Sequence, residues 1–378
     1  MRCRLNELAT FVTEKINVTE ICLENYISTE NMLPNKEGVF KSDKLPNVKR
    51  VNRYEKGDIL VSNIRPYFKK IWYADTDGGC STDVLVFRAT SISSKLLFSL
   101  LFQDYFFERM MLYSKGTKMP RGDKKAIMKI EFNIPFENKQ EKIVNIFFNI
   151  NSKIQINTDI INTLEETATT LFNHWFIDFE FPNKNGNPYK SSGGKMIESE
   201  LGEIPEGWEV KNLGDLVTFE YGKALKKENR LNGKYPVYGS GGVVGYHNEY
   251  LINGPSIIVG RKGTVGSIYY SEENSFPIDT TFWIKPKLEN LSMGFTLLIL
   301  KNQDFSNLIS DSAVPGLNRN VAYQNKVIFP AEKIMLEFNA INNSLLKNIN
   351  SLKKENETLK ELRDTLLPKL LSGEIELE

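Results

Sequence analysis

Two groups of side chains in this sequence are placed where they could read an anionic polymer. Between residues 115 and 129 stand Lys115, Lys118, Arg121, Lys124, Lys125 and Lys129 against one acid, Asp123. Far downstream, the segment 312–320 (SAVPGLNRN) sets Asn318, Arg319 and Asn320 side by side. Arg and Asn are the side chains that make paired hydrogen bonds with guanine and adenine edges, while Lys neutralises phosphate. A third basic group, Lys223, Lys226, Lys227, Arg230 and Lys234, surrounds Glu228. A run of this kind is also what a solvated surface looks like, so its weight comes from recurring at matched positions of a repeat described below.

Glycine-rich stretches add candidates. The segment 238–247 (YGSGGVVGYH) contains Tyr238 and Ser240, and 260–266 (GRKGTVG) contains Arg261, Lys262 and Thr264. The second is no phosphate cradle of the P-loop type: Lys precedes Gly and Thr where Gly-Lys-Ser/Thr is needed, and no helix follows. Its glycines predict a tight hairpin with Arg261 and Lys262 at the tip. Arg65, Lys69 and Lys70 join the candidates through their charge and their place between two strand-like runs.

Signatures of a resident catalyst are missing. Asn133-Ile134-Pro135-Phe136 differs from the Asn-Pro-Pro-Phe/Tyr motif of amino-methyltransferases by Ile at the first Pro. No nucleophile elbow of the G-x-S-x-G type occurs. His174 reads as a helix-packing residue, His247 has no His or Cys neighbour, and Cys3, Cys22 and Cys80 are too widely spaced for a zinc site or a disulfide scaffold. The expectation is a reader without a catalyst, with neither metal nor cofactor of its own.

The elements that must carry these loops are written twice. Adding 195 to the numbers of Ile143, Ile146, Ile150, Ile154, Leu164, Leu171 and Phe172 lands on Phe338, Ile341, Leu345, Ile349, Leu359, Leu366 and Leu367, and Pro120 and Pro135 map to Pro315 and Pro330. Solenoid units run roughly 20 to 50 residues, so this period signals two whole modules in tandem. Each copy ends in a helix of heptad rhythm: Ile143, Ile150, Asn157, Leu164 and Leu171 in the first, Phe338, Leu345, Leu352, Leu359 and Leu366 in the second. Ile146, Ile154, Ile160 and Ile161, or Ile341, Ile349 and Leu362, widen each stripe. Such stripes pair with one another, and a stretch like 141–175 makes a rod on the order of 50 Å. Two core helices of an ordinary helical domain are the plainer alternative.

Ahead of each helix lie strand-like runs, 58–64, 69–74 and 83–89 in the first copy and 256–260, 265–271 and 280–286 in the second, with a turn expected at Asp77-Gly78-Gly79. Apolar stretches 96–113 and 295–309 read as buried helices, and LGDLVTF (213–219) echoes LNELATF (5–11). The segment 182–199, rich in Gly, Pro, Ser and Asn, reads as an extended, mobile linker. Antiparallel pairing of the two helices relates the modules by an approximate two-fold axis. The fold class is α+β: two similar α/β domains, pseudo-two-fold symmetric, separated by two long helices in an antiparallel coiled coil. The boundaries are a first domain over 1–137, a spacer helix over 138–180, a linker over 181–205, a second domain over 206–331 and a terminal helix and tail over 332–378.

At 378 residues and a net charge of +1, overall charge announces no nucleic-acid partner, and local clusters must decide. No apolar run approaches the roughly 20 residues of a membrane span, and the opening MRCRLNELAT lacks the apolar core of a signal peptide. A reduced, cytoplasmic setting is expected.

Several segments together resemble the specificity subunit of type I restriction-modification enzymes: 202–219 (GEIPEGWEVKNLGDLVTF), 235–247, 257–270, 313–320, 362–375 (LRDTLLPKLLSGEI), and in the first half 57–88, 116–123 and 171–179. The resemblance covers nearly the whole chain. It implies two target-recognition domains on an antiparallel helical spacer, each reading one half of a bipartite, asymmetric site in double-stranded DNA. It implies two methyltransferase subunits docked along the helices, with two restriction subunits as further partners. S-adenosylmethionine, ATP and magnesium belong to those partners. At matching positions the DNA-facing residues are Arg261, Lys262, Thr264, Asn318, Arg319 and Asn320, with Lys118 and Arg121 in the first module. Lys124, Lys223, Tyr238, Ser240, Arg65, Lys69 and Lys70 join them from charge and loop position. Two alternatives stay open: a methylation-only subunit without restriction partners, and a coiled-coil scaffold whose modules bind something other than nucleic acid.

Overall fold

A computed structural model describes residues 2–116, 118–308 and 316–377. The chain divides into two compact units, Met1–Ile156 with Asn356–Glu378, and Asn157–Glu355. Each owns a hydrophobic core.

In the first unit a four-stranded antiparallel sheet runs in the order Ala9–Phe11, Val84–Ala89, Ile59–Ser62, Ile71–Tyr73. Its central strands are β-branched and apolar because both faces are covered. Ile59, Val61, Leu85 and Phe87 pack on one side against Leu97, Phe106 and Phe147 of helices, while Leu60, Val84 and Val86 pack on the other against Ile27, Tyr54 and Cys80. That other layer is a second sheet, ordered Lys15–Asn17, Arg50–Tyr54, Gly78–Cys80, Tyr26–Ile27. Gly78 and Gly79, expected as a turn, are therefore strand residues. A Cβ on Gly78 would lie 2.5 Å from the Tyr54 hydroxyl and 2.2 Å from Asn25 O, so glycine here answers a close approach rather than a reversal.

The buried helix expected over 96–113 is two helices, Ser94–Leu101 and Asp104–Leu112. Gln103 takes an extended conformation between them, and its side-chain amide donates to Leu100 O, closing the first helix. The restart places Asp104 in a first helical turn, where it holds Lys36 and Lys69, each at 2.8 Å.

The second unit repeats this plan. Its four-stranded sheet runs Val217–Tyr221, Thr281–Pro286, Ser256–Gly260, Ile268–Ser271, covered by the helix Met293–Lys301, which Ser292 caps as Ser93 caps its counterpart. The LNEL and LGDL echoes are both short helices, Leu5–Leu8 and Leu213–Leu216. In each, a third-position carboxylate accepts the N–H of the capping residue, Glu7 from Arg4 and Asp215 from Asn212. The small sheets differ. Tyr235–Gly239 pairs antiparallel with Gly242–His247 and parallel with Phe276–Pro277, whereas in the first unit it is Gly78–Cys80 that takes both neighbours.

The stretch expected to be an extended linker is folded onto the second unit. Met196–Ser199 pairs with Gly202–Pro205, Phe181 stacks between Tyr189 at 4.5 Å and Trp208 at 5.0 Å, and Ile204 is buried. Aromatic burial outweighs the polar, glycine-rich composition.

Two long helices, Glu137–Phe176 and Glu332–Ser372, each run through both units. In the first unit the start of one meets the end of the other, where Ile143 and Phe147 join Leu367 and Leu370 in one core. In the second the polarity reverses, and Phe172 and Trp175 meet Phe338 at 6.0 and 5.7 Å. The pairing is thus antiparallel, as in a coiled coil.

The heptad rhythm holds, but of the expected series only Ile143, Asn157 and Phe338 are buried, with Ile154, Ile161 and Ile349 beside them. Ile150, Leu164, Leu171, Leu345, Leu352, Leu359 and Leu366 are only half-buried, and Ile160, Ile341 and Leu362 are exposed. The consistently buried series is Phe147, Ile154, Ile161, Ala168 and Trp175 on one helix, and Met335, Asn342, Ile349, Asn356, Arg363 and Leu370 on the other. Three polar side chains buried between the helices find partners across them, whereas Asn342 Nδ2 has none among the described residues. Asn157 donates to Glu355 Oε2 (2.8 Å), Asn356 to Ile154 O (3.3 Å) and Arg363 to Asn151 Oδ1 (3.0 Å). His174, expected to pack between helices, is exposed. Among the described residues no helix is long and apolar enough to cross a membrane.

Candidate nucleic-acid interface

In the second unit the chain leaves the strand Ser256–Gly260 into a loop that turns on Gly260, where a Cβ would meet Thr264 O at 2.2 Å and Ser267 Oγ at 2.4 Å. Thr280 O accepts the N–H groups of both Arg261 (2.9 Å) and Lys262 (3.1 Å). On the far side Arg261 O accepts the N–H of Leu317 at 2.9 Å, and Lys262 bridges Gly316. The hairpin tip and the closing loop are thereby sewn into one surface.

Two guanidinium groups on that surface share a ring. Arg261 and Arg319 each lie 4.9 Å from the centre of Tyr221. Arg261 Nη1 donates to Asp279 O (3.2 Å) and Arg319 Nη1 to Phe219 O (3.4 Å). Stacking and, among the described residues, a single anchoring bond orient each group while leaving N–H donors unspent there. Asn318 caps the short helix Arg319–Ala322 by accepting the N–H of Asn320 (3.0 Å). Asn318, Asn320, Lys262 and Thr264 are exposed.

Ser240 belongs to the same surface through its carbonyl, which accepts from Ser267 Oγ (2.6 Å) and Tyr269 Oη (3.2 Å). Lys223 is exposed two residues beyond Tyr221, its N–H donated to Pro277 O. Tyr238 lies inside, 8% exposed, and burial pushes its hydroxyl pKa up. Of the loop 312–320, residues 312–315 lie outside the described residues.

The first unit builds the equivalent seam from different side chains. Ile64 bridges Arg121, Arg65 N–H donates to Pro120 O (2.8 Å), and Gly122 N–H donates to Asn63 O (3.3 Å). Asp123 caps the short helix Lys124–Ile127 as Asn318 caps its counterpart. The N–H of Ala126 and then the Lys115 ammonium hold the Asp123 carboxyl below the usual range. Lys118, Lys124 and Lys125 are exposed. Arg121 pairs with Asp83 at 3.1 Å.

Other basic residues of this unit are turned toward protein. Lys69 pairs with Asp104, and Lys70 donates to Thr29 O at 2.7 Å, with burial lowering its pKa. Arg65 and Lys69 both occupy the left-handed backbone region, at φ 49° and 51°. Arg65 Nε is buried without a partner among the described residues.

Sequence reasoning missed Tyr221, the ring on which Arg261 and Arg319 converge. A signal was present: Val217, Phe219 and Tyr221 alternate along one strand, the first two buried and the last half-exposed at the strand's end. Among the described residues no group of His, Cys, Asp and Glu is placed to hold a metal ion.

Residues 4–166 and 205–361 each match the family described as type I restriction modification DNA specificity domain. The chain belongs to this family, and is a specificity subunit built for recognition of DNA rather than catalysis. It is similar to the type I restriction enzyme HindI specificity subunit of Haemophilus influenzae, at 28% identity over 93% of this chain and 94% of that protein. It is also similar to the MjaIX specificity subunit of Methanocaldococcus jannaschii, at 26% identity over 76% of this chain and 70% of that one. The crystal structure of a type I restriction-modification S subunit from M. genitalium shares the fold, with a TM-score of 0.53 and 21% identity over 98% of this chain and 95% of the other.

Proposed function

We propose that each unit reads one half of a bipartite, asymmetric sequence in double-stranded DNA, and that methyltransferase subunits dock along the paired helices. The observation that carries this reading is the matched seam. In both units the loop after the third sheet strand is bridged to the closing loop, Ile64 to Arg121 and Lys262 to Gly316, and a capped short helix follows with basic residues in its first turn. Arg261 and Arg319 present oriented guanidinium groups for base edges, while Lys118, Lys124 and Lys262 present exposed ammonium groups for phosphates. Apolar side chains left exposed on the long helices, Ile156, Ile160, Leu336, Ile341 and Leu362, suit docked subunits. Those subunits supply adenine N6 methylation with S-adenosylmethionine, and restriction subunits join through them.

The test is binding to duplex DNA by the chain assembled with methyltransferase subunits. Affinity should fall steeply with salt. Arg319→Ala should cost about 1 to 3 kcal/mol of discrimination at one half-site, whereas Lys124→Ala should weaken all sequences alike and lower the salt slope by about 1. Salt-insensitive binding, or an Arg319→Ala loss equal on every sequence, contradicts the assignment.

A further inference from the structure

Between the first two strands of its four-stranded sheet, in chain order, each unit carries an insert that forms the smaller sheet, residues 12–58 in the first unit and 222–255 in the second. The inserts differ in charge. The first holds eight basic and eight acidic residues, and half of its basic side chains are spent on acids: Lys36 on Asp104, Lys41 on Glu24, Lys44 on Glu30 and Arg53 on Glu55. The second holds Lys223, Lys226, Lys227, Arg230 and Lys234 against Glu228 and Glu249. Among the described residues none of these seven makes an ion pair.

A run of lysines is ordinarily a solvated, loosely held surface. This one is pinned at three points to the edge strand Gly242–His247 and the residue after it. Arg230 Nη1 donates to Val244 O (2.7 Å) and passes Gly245, where a Cβ would stand 3.3 Å from it. Leu231 N–H donates to Nδ1 of the buried His247 (3.1 Å). Gly233 lies so close that a Cβ would meet His247 O and Asn248 N at 2.3 Å. Lys226, Lys227 and Lys234 are exposed on this fixed loop, a group of like charges that no protein anion offsets. The loop also continues the surface that holds Arg261: Pro277 O accepts the Lys223 N–H (3.1 Å), and two residues on Asp279 O accepts from Arg261 Nη1 (3.2 Å).

We propose that residues 223–234 are a sequence-independent clamp on the phosphates of duplex DNA, beside the base-reading surface of the second unit. The inference rests on the proposed function and adds to it a division of labour that differs between the halves. The first unit has exposed lysines on its closing loop, Lys118, Lys124 and Lys125, and a charge-balanced insert. The closing loop of the second, 312–320, contains Arg319 but no lysine, and its insert supplies the ammonium groups instead. Phosphate grip has thus moved from one loop to another while the two sheets kept their plan. Continuity with the surface of Arg261 points to the same duplex rather than to an acidic protein.

The test is binding of the chain, assembled with methyltransferase subunits, to duplexes of unrelated sequence between roughly 50 and 200 mM salt. In the triple variant Lys226→Gln, Lys227→Gln, Lys234→Gln the slope of log affinity against log salt should be shallower by about 2 to 3, with affinity lowered by the same factor on every duplex. The map of modified adenines should show an unchanged motif. Lys41→Gln, Lys44→Gln, Lys49→Gln, the same loss of charge in the first insert, should move the slope by less than about 1. Salt-insensitive binding by the parent defeats the proposed function and this inference together. A steep parent slope that the first triple variant leaves intact overturns the inference alone. So does an equal loss in both variants, because total charge then suffices. Failure of the first triple variant to assemble with methyltransferase subunits assigns its lysines to a protein partner and overturns the inference too.

Discussion

Arg261 and Arg319 illustrate what charge alone can tell. Their types and loop positions were legible in the sequence, but their orientation is fixed by Tyr221, a strand residue whose aromatic character reads equally well as core. Lys69 and Lys70 are the converse. Their charge is plain, yet the groups that hold them, Asp104 and Thr29 O, come from segments more than thirty residues away, which no local pattern reveals. Burial pushes the Asp104 carboxyl pKa up, but the Lys36 and Lys69 ammonium groups outweigh it and hold the pKa below the usual range. A depressed folded-state pKa adds stability that is present at neutral pH and lost as pH falls through that value. Asp104→Asn is therefore expected to flatten the acid limb of a denaturation-against-pH curve, and an unchanged limb shows that the pair contributes nothing. Cys80 makes a second case at this scale. Burial pushes its thiol up to about 12, so at neutral pH a thiol reagent should label exposed Cys22 and leave Cys80 silent until the chain unfolds. Prompt labelling of Cys80 in the native protein contradicts its place between the two sheets of the first unit.

At the scale of elements, the strands and the heptad rhythm were legible because β-branched runs and a seven-residue period survive any tertiary context. The seam was not. A search for apolar residues chooses the leucine series 345, 352, 359 and 366, whereas the structure buries the series holding Asn342, Asn356 and Arg363. Arg363 is tolerated there because it lies 4.6 Å from the Phe102 ring, donates to Asn151 and pairs with Asp364 at 2.9 Å. Matched polar groups of this kind fix register, since sliding either helix strands them. Arg363→Ala should cost about 1 to 3 kcal/mol in urea denaturation, as hydrogen bonds and packing are lost. The double substitution Asn151→Leu with Arg363→Leu should be neutral or more stable. If the double variant is the less stable of the two, the polar pair stabilises in its own right and register is not its role. The linker fails to read for a related reason, since Phe181, Tyr189 and Trp208 lie too far apart in sequence to register as one aromatic stack.

For the whole molecule, the repeat is the feature that sequence shows best, because it is a relation between distant segments and needs no propensity. It made the tandem plan visible, and it also exposes where the copies diverge. Phe147 and Phe148 against Asn342 and Asn343 is a change that only alignment of the two halves brings to notice. If two like-built readers are joined by continuous paired helices, the gap between half-sites is set by helix length. Four residues inserted at matched points of both helices add about 6 Å, or roughly two base pairs. The direct measurement is a genome-wide map of modified adenines in cells expressing the chain, or this insertion variant, with methyltransferase subunits of its system. One asymmetric motif of two fixed halves is expected, with the same halves and a gap about two base pairs longer in the variant. A contiguous motif, or a gap unmoved by the insertion, contradicts it.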